Sequence, residues 1–299
     1  MKNYQLLSLN YQSSHISEEL VKKITNLCNW MINENVTEAS LATIKKQFPK
    51  WKTLPIDIDI LVSQGILERY DRRYRFSVPL LNRTGWYELE KVVTSSCDKL
   101  IYQLSHNSVT SLACFIEFAK LPQQVYLAAE GVSEPYKDYH LLRTDNFIYL
   151  DSPSKLGYAS YFKENQMKLP PVSHNLTKLL GDVNPDYFCE MVGKVIGTIK
   201  NQTDYDRVKR PNIFMESLEL LGYISLSEEQ KISFDYQYIE VTKRELEKES
   251  SQFSNTFTEG LTECQSQLPH LDSEILELLM YRYLISSLQI NKYLFAIKK

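Results

Sequence analysis

The chain has 299 residues, of which 43% are hydrophobic and 24% charged, so it can form about two ordinary domains and is not a disordered polymer. Only nine residues are glycine, which argues against the glycine-rich phosphate loops of nucleotide-binding enzymes. The formal net charge of -3 gives no overall attraction to nucleic acid or to an anionic membrane.

Cysteine usage and the N-terminal segment predict a reducing, cytoplasmic location. The five cysteines are scattered and form no CxxC pair, so we expect free thiols that behave as small hydrophobes. The N-terminus lacks the apolar core of a signal peptide, and no stretch approaches the roughly 20 apolar residues needed to span a bilayer. We therefore expect no membrane contact.

The N-terminal residues predict two helices in succession. Ser17 is the expected N-cap of a helix over 17–33, with acidic residues in its first turn and apolar residues at helical spacing behind it. Thr37 is the expected N-cap of a second helix, which Pro49 ends.

A third helix and a β-hairpin follow. The helix is predicted from Leu54 to Gln64, with Gly65 as its stop. The runs 66–70 and 73–78 lie on either side of a polar turn, and the second alternates aromatic or apolar residues with polar ones, which is the period of a half-buried strand. Three helices followed by a hairpin is the order of a winged helix, predicted here at about 16–82.

The middle of the chain predicts a change from helices to strands. Residues 86–106 and 108–120 have helical periodicity. The apolar runs Val125–Ala129 and Phe147–Leu150 predict short strands, and 153–165 predicts a further helix.

A second helix–hairpin unit is predicted near residues 211–234. Gly222 stops a helix there as Gly65 does earlier, and the string LELLGYI at 218–224 parallels LVSQGIL at 61–67. An internal duplication would follow, although helical partners for this copy have to come from 174–200, where Asn184 and Pro185 start a long helix. On that helix Gly193 and Gly197 lie four residues apart, a spacing that marks a close crossing or has no meaning in a soluble helix.

The C-terminal residues predict two more helices. Residues 243–260 are charged with few apolar anchors, whereas 272–297 are apolar nearly all round. A helix of that second kind has to be buried, either in this chain or against a partner. The segment Leu276–Leu294 is therefore a candidate for self-association or for binding a protein partner.

Three sequence strings resemble an uncharacterised winged-helix-like family of low-GC Gram-positive bacteria, a domain of unknown function. They are Arg72-Arg73-Tyr74-Arg75-Phe76 running into Pro79-Leu80-Leu81, then Leu180-Gly181-Asp182-Val183-Asn184, and Lys209-Arg210-Pro211 through Leu221-Gly222-Tyr223-Ile224. The resemblance covers about the N-terminal three quarters and excludes the C-terminal helices. It implies fold and compartment only, because that family has no assigned activity.

The hairpin is the first candidate for a nucleic-acid contact. We call its four arginines the arginine wing: Arg69, Arg72, Arg73 and Arg75. Arginines at a hairpin tip can enter a minor groove or bind phosphates. A solvated turn whose charges protect a strand edge explains them equally well.

The third helix favours a protein partner instead. A helix that reads DNA presents Arg, Lys, Asn or Gln to base edges, but this one presents Ile56, Asp57 and Ile60, together with Asp59. Carboxylates repel phosphate, and exposed isoleucines are typical of a protein contact. The preceding lysines could bind a DNA backbone without giving specificity; they are Lys50 and Lys52.

Other polar clusters have simpler interpretations. The basic cluster Arg207, Lys209 and Arg210 is either a second phosphate contact or a solvated loop. The acidic string 181–186 is better explained by helix capping than by a metal site. The five histidines form no zinc motif, and no nucleophile elbow or P-loop occurs.

We therefore predict a mainly α fold with small β-hairpins, without cofactor or metal. The predicted domains are 1–85 (winged-helix-like), 86–240 (helical, with the second helix–hairpin) and 241–299 (C-terminal helices). The predicted function is a non-enzymatic, cytoplasmic binding or regulatory protein that uses winged-helix surfaces for protein interaction. The alternative is a regulator that binds DNA through the arginine wing.

Overall fold

The computed structural model has a mainly α fold with small β-sheets and hairpins, which confirms the predicted fold class. It describes residues 3–9, 17–106, 108–121, 125–132, 140–151, 156–163, 171–200, 213–226, 232–234, 236–287 and 292–298. Among the described helices, none has an apolar stretch long enough to cross a membrane.

The elements of the N-terminal half alternate between helices and short strands. In chain order they are β1 (Tyr4–Ser8), α1 (Glu18–Asn33), β2 (Ala39–Ser40), α2 (Leu41–Gln47), α3 (Leu54–Ser63), β3 (Leu67–Tyr70), β4 (Arg73–Phe76), β5 (Leu80–Leu81), α4 (Arg83–His106), α5 (Ser108–Lys120), β6 (Tyr126–Glu130), β7 (His140–Arg143) and β8 (Phe147–Asp151).

The elements of the C-terminal half also alternate between helices and strands. They are α6 (Tyr158–Lys163), α7 (Pro171–Leu180), α8 (Pro185–Lys200), α9 (Ile213–Leu220), β9 (Ile224–Leu226), β10 (Ile232–Phe234), β11 (Gln237–Thr242), α10 (Lys243–Gln267), α11 (Ser273–Ser287) and β12 (Lys292–Lys298). Of the predicted helix over 153–165, α6 is the described part; residues 152–155 and 164–170 lie outside the described residues.

The chain divides into two compact units that are not consecutive segments. The first unit contains Met1–Tyr102, Ile116–Tyr136 and Asn255–Ser286. The second contains Gln103–Phe115, Lys137–Ser254 and Ser287–Lys299. Each unit therefore draws on more than one of the three segments that the sequence predicted as domains.

Three helices and a small sheet share one hydrophobic core in the first unit. Helices α1, α2 and α3 are followed by strands β3 and β4, so the predicted order of three helices and a hairpin is confirmed. The sheet has the antiparallel order β2-β4-β3. Six side chains of this core have no solvent exposure: Ile24, Leu27, Ile44, Ile58, Leu61 and Ile66.

The helix starts follow their capping residues, with one correction. The Oγ atom of Ser17 accepts a hydrogen bond from the backbone N of Leu20 at 3.2 Å, so the predicted first cap is confirmed. The second helix begins at Leu41, capped by Ser40, and the prediction that Thr37 caps it was wrong. The reason is strand pairing, because β2 pairs with β4 immediately before the helix.

The hairpin turns through two residues with left-handed backbone. Asp71 and Arg72 have φ values of 46° and 62°, the conformation that joins two antiparallel strands by a tight turn. The strands pair Arg69 with Tyr74 and Tyr70 with Arg73. Alternate residues therefore point to opposite faces, as the period-two pattern predicts.

The second helix–hairpin unit is also present. Helix α9 packs against both α7 and α8, so the segment 174–200 does supply the helical partners that the sequence left open. Gly222 has a φ of 62° after α9, and β9 pairs with β10 in an antiparallel hairpin. The core between these elements is aromatic and aliphatic, including Phe188, Val192 and Leu218.

The predicted C-terminal helix over 272–297 was wrong in its second half. Helix α11 ends at Ser287, and β12 lies between β11 and β8 in a four-stranded sheet. A central strand is buried on both faces, so its apolar run resembles a buried helix. Leu276 and Leu294 are both fully buried, in the first and second unit respectively. The segment Leu276–Leu294 is therefore not one helix available for self-association.

The glycine spacing on α8 marks a close approach. A Cβ atom built on Gly193 would lie 2.5 Å from the ring of Phe147, whereas one on Gly197 would lie 3.2 Å from the hydroxyl of Tyr238. The phenyl ring is buried in the core and has little room to move. Gly193 is thus required for packing, and Gly197 is not held as tightly.

We expect Gly193→Ala to destabilise the protein by about 1–3 kcal/mol, because the cost of overpacking exceeds the helix propensity gained from alanine. Gly197→Ala on the same helix is the matched control, with a smaller loss or a gain. The free energy of unfolding measured by urea denaturation checks both. Equal changes at the two positions would contradict the close approach at Gly193.

Candidate functional site

The outer side of α3 exposes large apolar side chains. Ile56 is 65% exposed and Ile60, one turn later, is 36% exposed. Asp59 and Ser63 are exposed on the same side of the helix, since residues three and four apart share a helix face. We call these four residues the α3 face. Its isoleucines are two of the three residues that the sequence predicted to bind protein.

The third predicted residue, Asp57, has a different place. Its Oδ2 atom accepts hydrogen bonds from Trp51 Nε1 at 2.5 Å and from Thr53 Oγ1 at 2.5 Å. Lys23 Nζ on α1 donates to the same oxygen at 3.3 Å. The carboxylate is therefore engaged within the unit, whereas the sequence predicted that it lies on the outer face.

The environment of Asp57 stabilises its charged form. Partial burial by itself raises the pKa of a carboxyl group, but the hydrogen bonds and the nearby ammonium act in the opposite direction. Together they hold the pKa of Asp57 below its usual value. The carboxylate thus remains ionised and links α1 to the start of α3.

An aromatic chain reinforces the same junction. The rings of Trp30 and Phe48 meet edge to face at 5.8 Å, and those of Phe48 and Trp51 at 6.1 Å. Trp51 is 7% exposed. Such pairs add to the energy of burial, so both ends of the turn before α3 are fixed. The sequence interpretation did not identify this cluster, although two aromatic residues just before a helix start, Phe48 and Trp51, were its signal.

Two arginines of the arginine wing are paired with carboxylates. Arg73 Nη1 lies 2.8 Å from Glu38 Oε1, and Arg75 Nε binds Glu68 Oε1. Both pairs are exposed, and such pairs contribute little to stability. They do compensate half of the positive charge of the arginine wing.

The other two wing arginines have no ion pair within the described part of the chain. Arg69 lies over the ring of Tyr74, 5.8 Å from its centroid. Arg72 is exposed in the hairpin turn. Beside it Tyr70 is 69% exposed, a residue that the sequence interpretation did not include in any site.

Lysines lie along the chain just before α3. Lys50 and Lys52 are exposed, and no carboxylate of the described residues lies within salt-bridge distance of either. Lys45 and Lys46 are exposed in the last turn of α2. The chain just before α3 therefore contributes exposed lysines, whereas the α3 face itself contributes one carboxylate.

The remaining sequence candidates do not join this surface. Asn184 Oδ1 accepts a hydrogen bond from Tyr187 N at 2.9 Å, so the capping interpretation of residues 181–186 is confirmed. Arg207, Lys209 and Arg210 lie outside the described residues. Within the described ranges, no group of three His, Cys, Asp or Glu side chains is placed to hold a metal ion.

Comparison with known proteins gives one match. Residues 8–107 match the family described as Domain of unknown function (DUF1803). No curated protein and no solved structure matches the chain. The matched residues include α1, α2, α3 and the hairpin, so the α3 face lies inside this domain and α9 lies outside it.

Replacement of Asp57 by Asn tests its linking role. Asp57→Asn should lower the free energy of unfolding by about 1–3 kcal/mol at pH 7, because it removes the charged acceptor of three hydrogen bonds. Since the folded pKa is depressed, this contribution is present above the unfolded pKa of about 3.9 and is lost as the pH falls through the folded pKa.

The difference between wild type and Asp57→Asn should therefore shrink at acidic pH in denaturant titrations. Asp59→Asn, two residues away on the exposed face, is the control and should change stability little. A pH-independent difference, or an equal effect of the two substitutions, would contradict the assignment.

Proposed function

We propose that residues 18–76 form a winged helix whose α3 face binds a protein segment. The helix order and the β2-β4-β3 sheet support the fold, because a short strand before the second helix joins the hairpin in that architecture. The single observation that carries the proposal is the exposure of Ile56 and Ile60 on adjacent turns of α3.

Exposed apolar side chains on adjacent turns of α3 favour a protein partner. Burying one such side chain contributes about 1.5–3 kcal/mol, and binding energy in interfaces is concentrated in a few residues of this kind. Tyr70 on the hairpin adds an exposed aromatic ring of the sort enriched in interfaces. These residues offer anchors for an apolar segment.

Charge defines the chemistry of that segment. Lys50, Lys52 and Arg72 are exposed, and none has a carboxylate within salt-bridge distance among the described residues. A partner with Asp or Glu beside its apolar residues complements them and associates faster for that reason. We therefore assign the α3 face to an acidic amphipathic protein segment.

DNA binding is the second candidate. The free charge of Arg72 in the turn and of the lysines before α3 favours it, since these groups could bind phosphates. Asp59 opposes it, because this carboxylate lies on the face that would enter the groove. The pairing of Arg73 and Arg75 with carboxylates also weakens it.

A photoreactive side chain tests the protein proposal in the cell. With benzoylphenylalanine in place of Ile56, we expect a discrete cross-link to a segment that contains apolar residues beside Asp or Glu. The same group in place of Tyr87, which is 68% exposed on α4, should not give this product. The purified partner should bind Ile60→Asp at least about tenfold more weakly than wild type, and Tyr87→Asp normally.

A partner segment without carboxylates, or an affinity that Ile60→Asp leaves unchanged, would contradict the proposal. Fluorescence anisotropy on a random-sequence duplex at two salt concentrations tests the alternative. Micromolar binding that weakens with salt and in the Arg72→Glu/Arg73→Glu variant would support DNA binding instead.

A further inference from the structure

Helices α4 and α11 leave a cavity between them within the first unit. The two helices meet where the Sγ atom of Cys97 lies 3.9 Å from the backbone O of Met280. The cavity lies between residues 86–94 of α4 and residues 279–286 of α11, all of which belong to the first unit. Its volume is about 310 Å³. No residue of the α3 face lines it.

The floor of the cavity is apolar. Trp86, Leu89 and Val93 contribute to it from α4, and Leu279 contributes from α11. Each of these side chains is at most 7% exposed. An apolar floor with a few polar groups beside it is typical of a site for a small ligand. A cavity of about 150 Å³ can hold one benzene molecule, so this larger cavity has room for a ring or a short alkyl chain that carries a polar group.

Two polar groups at the rim are available to a ligand. Glu90 and Thr94 lie one turn apart on α4 and both line the cavity. Glu90 is exposed, and no cation of the described residues lies within salt-bridge distance of its carboxylate. Thr94 is half-buried, and its hydroxyl has no hydrogen bond to any described residue. Among the described residues that line the cavity, Glu90 alone is charged.

We propose that this cavity binds a small primary amine with an apolar body. The ammonium group of the ligand donates hydrogen bonds to the carboxylate of Glu90 and to the hydroxyl of Thr94, since both oxygens can accept them. The apolar body is buried against Trp86 and Leu279. A ligand with a carboxylate is disfavoured because Glu90 repels it, and a neutral ligand lacks the attraction between opposite charges.

The indole signals of the protein report on this cavity in solution. The chain has three tryptophans. Trp86 lines the cavity, whereas Trp30 and Trp51 pack in the core of α1, α2 and α3. In an NMR titration of the isotope-labelled full-length protein, phenethylamine or hexylamine should shift the Trp86 signal and leave the other two signals in place. The shift should saturate with a Kd of about 1 mM.

A neutral compound of the same size tests the preference for an amine. Phenethyl alcohol has a hydroxyl group where phenethylamine has an ammonium group. It should bind at least about threefold more weakly, because it forms no ion pair with Glu90.

Replacement of Glu90 tests the source of that preference. Glu90→Gln retains the shape of the side chain and removes its charge. It should weaken the binding of phenethylamine at least about threefold and leave the binding of phenethyl alcohol unchanged. Glu88→Gln is the matched control, because Glu88 is exposed on the same helix and does not line the cavity. This variant should bind both compounds as wild type does.

A large side chain at the rim tests the location. Thr94→Phe fills the cavity and should abolish the Trp86 shift with both compounds. Circular dichroism and thermal unfolding check that the variant folds. If it does not fold, Ser286→Phe fills the same cavity from α11.

Several results would overturn the proposal. One is the absence of a saturable Trp86 shift with either amine up to about 10 mM. Equal affinity for phenethylamine and phenethyl alcohol would overturn the preference for an amine, and so would an unchanged amine affinity in Glu90→Gln. Binding that persists in the folded, cavity-filled variant, or equal shifts of all three indole signals, would place the amine elsewhere on the protein.

Discussion

The carboxylate of Asp57 determines how α3 is oriented. It accepts hydrogen bonds from α1, through Lys23, and from the turn before α3, through Trp51 and Thr53. Because these donors come from two parts of the unit, the rotation of α3 about its own axis is fixed. Ile58 then points into the core, and Ile56 is directed outward. The exposure of the isoleucines is thus set by this partly buried polar contact together with the buried side chains of Leu54, Ile58 and Leu61.

The hydrogen bonds of Asp57 also change which charged groups of the unit are available at its surface. A carboxylate that is engaged inside the unit no longer repels a ligand at the surface, so only Asp59 does so on the α3 face. In the hairpin, Arg73 and Arg75 are compensated by Glu38 and Glu68. What remains on the α3 face is apolar with one carboxylate, and exposed lysines precede it in the chain, a combination that suits a protein segment better than a DNA duplex.

Local signals in the sequence predicted much of this architecture. The Ser17 cap, the glycine stop after α3 and the polar turn of the hairpin each depend on residues within a few positions of one another. Ile56 and Ile60 were predicted on the exposed side by helical periodicity alone.

Contacts between distant residues were not predictable in that way. The role of Asp57 depends on Lys23, which is 34 residues away. The cap at Thr37 was wrong because β2 pairs with a strand more than 30 residues later. Strand β12 was mistaken for a helix because its position between β8 and β11 makes it a central strand, in which consecutive apolar residues are buried. In each case tertiary contacts decided between local alternatives that the sequence leaves open.

Thiol reactivity tests the orientation of α3 most directly. All five native cysteines are buried, and burial raises the pKa of Cys28, in the same core as α3, to about 12. A cysteine in place of Ile56 should therefore react with a maleimide as fast as a free thiol, while Cys28 reacts only when the unit unfolds. Mass spectrometry compares the rate of maleimide modification at position 56 with the rate at Cys28, and this ratio tests whether position 56 faces solvent. Comparable protection at both positions would contradict the account.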